Sequence, residues 1–157
     1  MSEEEIKKLK EISSALHRMN AKVKLLGLLE RAKFEYEQNN LVDCEKNCRE
    51  VLKSEPKNSI ALRGLGCVFQ SKGDNKNALK YYEKALLFSE KKEIEYTLIG
   101  TIYYNEDNLE KAIEYYNLAI DANDDYNLAY EGKNQSMLER HLQILDVQDS
   151  LIKRKIF

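Results

Sequence analysis

Residues 59–92 read SIALRGLGCVFQSKGDNKNALKYYEKALLFSEKK, and residues 93–126 read EIEYTLIGTIYYNEDNLEKAIEYYNLAIDANDDY. The two stretches align without a gap. Leu62, Leu65, Gly66, Phe69, Ala78, Tyr82 and Ala85 are answered, each 34 positions later, by Tyr96, Ile99, Gly100, Tyr103, Ala112, Tyr116 and Ala119. A fixed period of that length marks a repeat protein, each unit being one supersecondary element that cannot bury its apolar side alone.

The spacing within each unit is Leu62-x2-Leu65-Gly66-x2-Phe69 with Ala78-x3-Tyr82, then Tyr96-x2-Ile99-Gly100-x2-Tyr103 with Ala112-x3-Tyr116. This resembles the tetratricopeptide repeat, whose pattern is a large residue, a Leu-Gly pair, an aromatic and then A-x3-F. Leu62 and Tyr96 stand where the family usually has tryptophan, a residue absent from the chain. The resemblance implies an all-α fold, an α-α superhelix of helix pairs in which the first (A) helices line a concave face.

Stepping back one period identifies a degenerate first repeat at 25–58. Leu28, Ala32, Cys44, Cys48, Val51 and Leu52 fall on motif positions, and Pro56 sits where the family favours proline. Arg31 and Glu35 do not fit, and Phe34 and Tyr36 are the candidates to supply the missing bulk, which leaves the register of this first helix open. Polar turns at Gln38–Asn40, Lys72–Asn75 and Asn105–Asn108 separate A from B helices, with Gly73 suited to positive φ and Asn to capping. The expected helices span 25–38, 41–53, 59–72, 75–88, 93–106 and 109–122.

Three segments follow: an N-terminal amphipathic helix in 1–24, three repeats over 25–126, and a C-terminal solvating helix with its tail in 127–157. Leu9, Ile12, Leu16, Met19, Val23 and Leu26 alternate in steps of three and four, the seam of an amphipathic helix or a short coiled coil. Ser13, Ser14 and Asn20 are mediocre helix formers, so a break near 19–21 is expected. The helix is read as packing on the end of the array, with dimerisation or entry into the groove as the other readings. At the far end, 127–150 form the final helix through Leu128, Ala129, Tyr130, Met137, Leu142 and Leu145, and the basic end Lys153–Phe157 is expected to fray.

Composition excludes several classes of function. The 157 residues suffice for one packed domain. With 25 basic and 27 acidic residues the net charge is only −2 and the signs are interspersed, so neither nucleic acid nor membrane is expected as a partner. No apolar run reaches the roughly 18 residues of a membrane span, and Met1–Glu5 lacks the apolar core of a signal peptide, which points to a cytoplasmic protein. Three cysteines suit a reducing compartment rather than a disulfide framework. Cys44 and Cys48 occupy motif slots that want small hydrophobes, and His17 and His141 lie in the terminal helices, so no metal or other cofactor is expected. Glycine-rich phosphate loops, nucleophile elbows and H-E-x-x-H pairs are all missing, hence no enzyme.

In the family the concave face binds peptides, and motif residues such as Gly66, Tyr82, Gly100 and Tyr116 pack the helices. The resemblance therefore places the peptide-binding residues at Leu26, Leu29, Lys33 and Tyr36 in the first repeat, Ile60, Arg63, Cys67 and Gln70 in the second, and Ile94, Leu98, Thr101 and Tyr104 in the third, with Leu128 beyond. This row is apolar with few charges. Members that grip acidic chaperone tails use a Lys, Asn and Arg clamp. The matching positions here, Leu29, Lys33, Gly64, Ile94 and Leu98 or, one repeat later, Arg63, Cys67, Leu98, Leu128 and Gly132, hold at most one cation. The expected function is a protein-binding adaptor or chaperone-like holder for an apolar peptide or helix. The alternative is a self-assembling scaffold, such as a homodimer, whose groove is filled by its own N-terminal helix in cis or in trans. A regulatory subunit of a larger assembly is a third reading.

Overall fold

The computed structural model describes residues 1–156, with side chains described through Leu151. Seven helices follow in order: α1 Glu3–Glu37, α2 Leu41–Ser54, α3 Ser59–Ser71, α4 Asn75–Leu86, α5 Lys92–Asn105, α6 Leu109–Ala122 and α7 Asn127–Ile156. Among the described residues there is no strand. Helices α1/α2, α3/α4 and α5/α6 form three hairpins that stack on one another, and α7 packs against α6 and α5.

The hairpins share one turn. Asn39, Gly73 and Asp107, each 34 residues from the next, adopt positive φ (57°, 77° and 60°). The following amide reaches back across the turn in every case: Asn40 N–H to Glu35 O at 2.8 Å, Asp74 N–H to Phe69 O at 2.9 Å and Asn108 N–H to Tyr103 O at 2.9 Å. This bond closes the A helix in a Schellman motif. The same Asn40, Asp74 and Asn108 then cap the B helices with their side chains, on Asp43, Asn77 and Lys111 N–H. One residue thus ends one helix and starts the next, and Asn or Asp tolerates the left-handed turn where the second repeat uses glycine.

Small residues set the spacing within each hairpin. A Cβ added at Gly66 would lie 2.3 Å from the Tyr82 ring, and one at Gly100 would lie 3.0 Å from Tyr116. Aromatic stacking completes the second and third hairpins, Phe69 on Tyr81 at 5.3 Å and Tyr103 on Tyr115 at 5.4 Å between ring centres.

The first repeat keeps the expected register, with Ala32, Cys44, Cys48 and Val51 all buried. It corrects the expectation about bulk. Phe34 and Tyr36 are 58% and 39% exposed and do not substitute for the missing aromatic. Glu35 itself stands in that slot, half-buried, and its Oε2 accepts from Asn40 Nδ2 at 2.7 Å. Its partner position, Tyr81 and Tyr115 in the later repeats, is the buried Asn47. An aromatic stack is replaced by a polar pair of positions at the end of the array.

The N-terminal segment also departs from expectation. There is no break at 19–21 and no boundary at 24: α1 runs on without interruption into the first repeat. Ser13, Ser14 and Asn20 cost only tenths of a kcal/mol each in a helix interior, roughly 0.5 at most, which does not break one. A capping box between Ser2 and Glu5 closes the start. Residues 1–24 are exposed throughout, so this stretch neither packs on the end of the array nor fills the chain's own groove. At the other end α7 extends beyond the expected residue 150; the expectation of a frayed Lys153–Phe157 concerns side chains outside the described residues.

Candidate functional site

The A-helix side chains form two depressions on one face. The first, with a volume of about 250 Å³, lies between α1 and α3 and is lined by hydrocarbon and sulfur, with Leu29, Ile60 and Cys67 at its sides and Lys33, Tyr36 and Arg63 supplying its polar atoms. Its floor comes from Ala32, Cys44 and Cys48. Gly64 permits that floor, because a Cβ there would lie 2.6 Å from Cys48 Sγ. The second, about 440 Å³, lies between α5 and α7 and holds Ile94, Leu98, Thr101, Tyr104 and Leu128. A third concavity shares Ile60 and Arg63 with the first and Ile94 with the second.

Eleven of the thirteen expected residues therefore line one depression or the other. Leu26 does not; it is 53% exposed at the end of the free part of α1. Gln70 is half-buried and held from behind, its Oε1 accepting from the Tyr82 hydroxyl at 2.7 Å. That hydroxyl also reaches Cys67 Sγ at 3.4 Å, and the Tyr116 hydroxyl lies 3.2 Å from Thr101 Oγ1. Tyr82 and Tyr116 were expected to be packing residues only. Their rings pack, while their hydroxyls cross the hairpin and fix groove residues.

A buried ion pair behind the face was not expected at all. Glu95, at the start of α5, has no exposed surface, and its Oε1 takes a 3.0 Å hydrogen bond from Arg63 Nη1 on α3. Arg63 keeps 22% of its side chain exposed, where it lines the first depression. Glu95 Oε2 finds no partner among the described residues. Beside it the buried Glu93 accepts from Asn123 Nδ2 at 3.4 Å. A signal existed: the positions one period away from Glu95 hold Ala61 and Ala129, and the one two periods before it holds Gly27, so a carboxylate breaks a small-residue column.

Burial dominates the chemistry of the floor. It raises the thiols of Cys44 and Cys67 and pushes Cys48 up to about 12, with Cys44 and Cys67 nearby adding to the effect on Cys48. The thiolate is the reactive form. Cys48 in the folded protein is thus expected to react with iodoacetamide at pH 8 more than about 100-fold slower than a free thiol of pKa about 8.5, and at the free-thiol rate in denaturant. Equal rates in both states would contradict the burial. A group whose proton is held more tightly when folded stabilises fully below its unfolded pKa, so this contribution is lost as pH rises from about 8.5 towards 12. Among the described residues no group of three His, Cys, Asp or Glu side chains is arranged to hold a metal ion, and no helix is long and apolar enough to cross a membrane.

Comparison with known proteins agrees with the fold. The tetratricopeptide repeat family model matches residues 64–92 and 96–126. The fold is similar to the Sgt2 TPR domain from Aspergillus fumigatus (TM-score 0.67, 15% identity, 78% of this chain and 82% of that one). It is also similar to the first TPR of Spaghetti (RPAP3), solved bound to the HSP90 peptide SRMEEVD (TM-score 0.66, 13% identity, 74% and 93%). A third similar structure is a K341M mutant of the Thermobaculum terrenum O-GlcNAc transferase (TM-score 0.66, 22% identity, 72% of this chain), of whose length this chain covers only 22%. No curated protein matches the chain by sequence.

Proposed function

We propose, on the premise that the chain is a tetratricopeptide-repeat protein, that its concave face holds an apolar peptide or helix of another protein, so that it acts as an adaptor or holder. The observation that carries this reading is the set of aliphatic side chains left open in the two depressions. Ile60 and Leu128 are 52% and 56% exposed, and Leu29 and Leu98 are half-buried at the depressions' sides. Each such side chain gains about 1 kcal/mol when a partner covers its exposed half. Two depressions along one face suit a ligand that presents two apolar anchors, with Arg63, whose charge Glu95 already offsets, lining the first depression. The similar RPAP3 domain binds an acidic HSP90 peptide. Here Lys33 and Arg63 are the cations lining the depressions, which favours an apolar ligand over an acidic tail.

A random peptide library displayed on phage tests the reading. Wild type is expected to enrich peptides with spaced apolar anchors. Ile60→Asp or Leu98→Arg is expected to weaken the selected peptides at least tenfold while helicity is unchanged. Unchanged affinity in both variants would remove the concave face from the account.

A further inference from the structure

We infer that residues 9–26 of α1 pair in parallel with the same helix of a second copy of this chain, as a short coiled coil projecting from the repeat array. Leu9, Leu16 and Val23 take the a positions of a heptad, and Ile12, Met19 and Leu26 take the d positions. All six are 49–62% exposed. The stripe that seats α1 on its own repeats is a different one: Leu25, Leu28, Leu29 and Ala32 pack on α2 and α3. It is offset from the seam by one residue, about 100° around the helix. Among the described residues, none of the six belongs to the core that holds α1 to its own repeats.

A free segment of this kind does not stay helical by propensity. Its one ion pair among the described residues, Lys8 to Glu4 at 3.2 Å, is local and exposed, and helices draw most of their stability from packing of an apolar face. A 3.5-residue apolar period is the period of helix pairing. The size also fits. Each seam leaves on the order of 600 Å² of apolar surface, so two together reach about 1,200 Å², the lower bound of a stable specific interface.

Charge selects the orientation. The g positions hold Lys8, Ala15 and Lys22, and the e positions hold Ser13, Asn20 and Gly27. Parallel pairing sets g against e of the partner and places each lysine beside a neutral residue. Antiparallel pairing sets g against g and brings Lys8 to Lys22. Like charges there are unfavourable.

The test is the mass of the full chain by light scattering at tens of micromolar. Wild type is expected at twice the 18.3 kDa of one chain. Leu16→Glu, at an exposed site remote from the repeats, is expected at one chain, with the thermal melt of the repeats kept and only the helicity of the free part of α1 reduced. Leu142→Glu, on the exposed apolar stripe of α7, is expected to remain doubled, as is Leu98→Arg, which separates this inference from the groove reading. A single-chain wild type, a doubled Leu16→Glu, or a single-chain Leu142→Glu would each overturn it. Mild oxidation of Leu9→Cys reads the orientation: a parallel pair juxtaposes the two cysteines and yields a disulfide-linked dimer, whereas an antiparallel pair sets position 9 against Leu26 and yields none, which would overturn the parallel arrangement.

Discussion

Tyr82→Ala is expected to cost about 3–5 kcal/mol, lowering Tm by roughly 10 °C, because it empties the largest fully buried position in the chain. The ring lies over Gly66 at a distance that only glycine allows, and it packs with Ala78, Ile99 and Ile102 across the junction of the second and third hairpins. No neighbour can close the void, since those contacts belong to helices fixed by their own turns. Tyr82→Phe separates the ring from the hydroxyl. It keeps the packing and loses the bonds to Gln70 and Cys67, at a cost of about 1 kcal/mol. Thermal melts of both variants check the difference. Equal losses would mean that the hydroxyl bonds within the second hairpin, not the packed ring, carry the contribution of Tyr82.

Arg63→Met is expected to be nearly as damaging, about 3–5 kcal/mol, through a different cause. It removes the one hydrogen-bonding partner that Glu95 has among the described residues and leaves its carboxyl group, with no exposed surface, unpaired. The reverse change is milder. In Glu95→Ala the position regains the residue that Ala61 and Ala129 hold one period away on either side, and Arg63, still 22% exposed, turns its charge to water. The double variant is expected to recover most of the loss, since an ion pair replaced whole by apolar groups is often neutral. Denaturant unfolding of the four proteins as a double-mutant cycle measures this directly. A double variant as unstable as Arg63→Met would show that the damage comes from packing of the arginine stem.

The repeats were legible because their period is a packing period. Gly66 with Tyr82 and Gly100 with Tyr116 recur since each pair solves the same close approach, and the match of Ala32 with Cys48 in the first repeat follows from the same spacing. The turns were legible for a local reason, Asn, Asp or Gly at the one residue that must take positive φ. What escaped was polar and long-range. Glu95 sits on a non-motif position, and nothing in its neighbours announces that Arg63, 32 residues earlier, will meet it. The hydroxyls of Tyr82 and Tyr116 escaped because an aromatic on the packing period is read as a ring. The unbroken α1 escaped because weak helix formers were given the weight of a proline.

Amide hydrogen exchange of the full chain, with and without a peptide selected on the wild type, tests the concave-face reading most directly. The account expects slowed exchange in α3, α5 and the groove-lining part of α1, residues 29–36, with α2, α4 and α6 unchanged. Protection confined to α2, α4 and α6, or to residues 3–24, would contradict it.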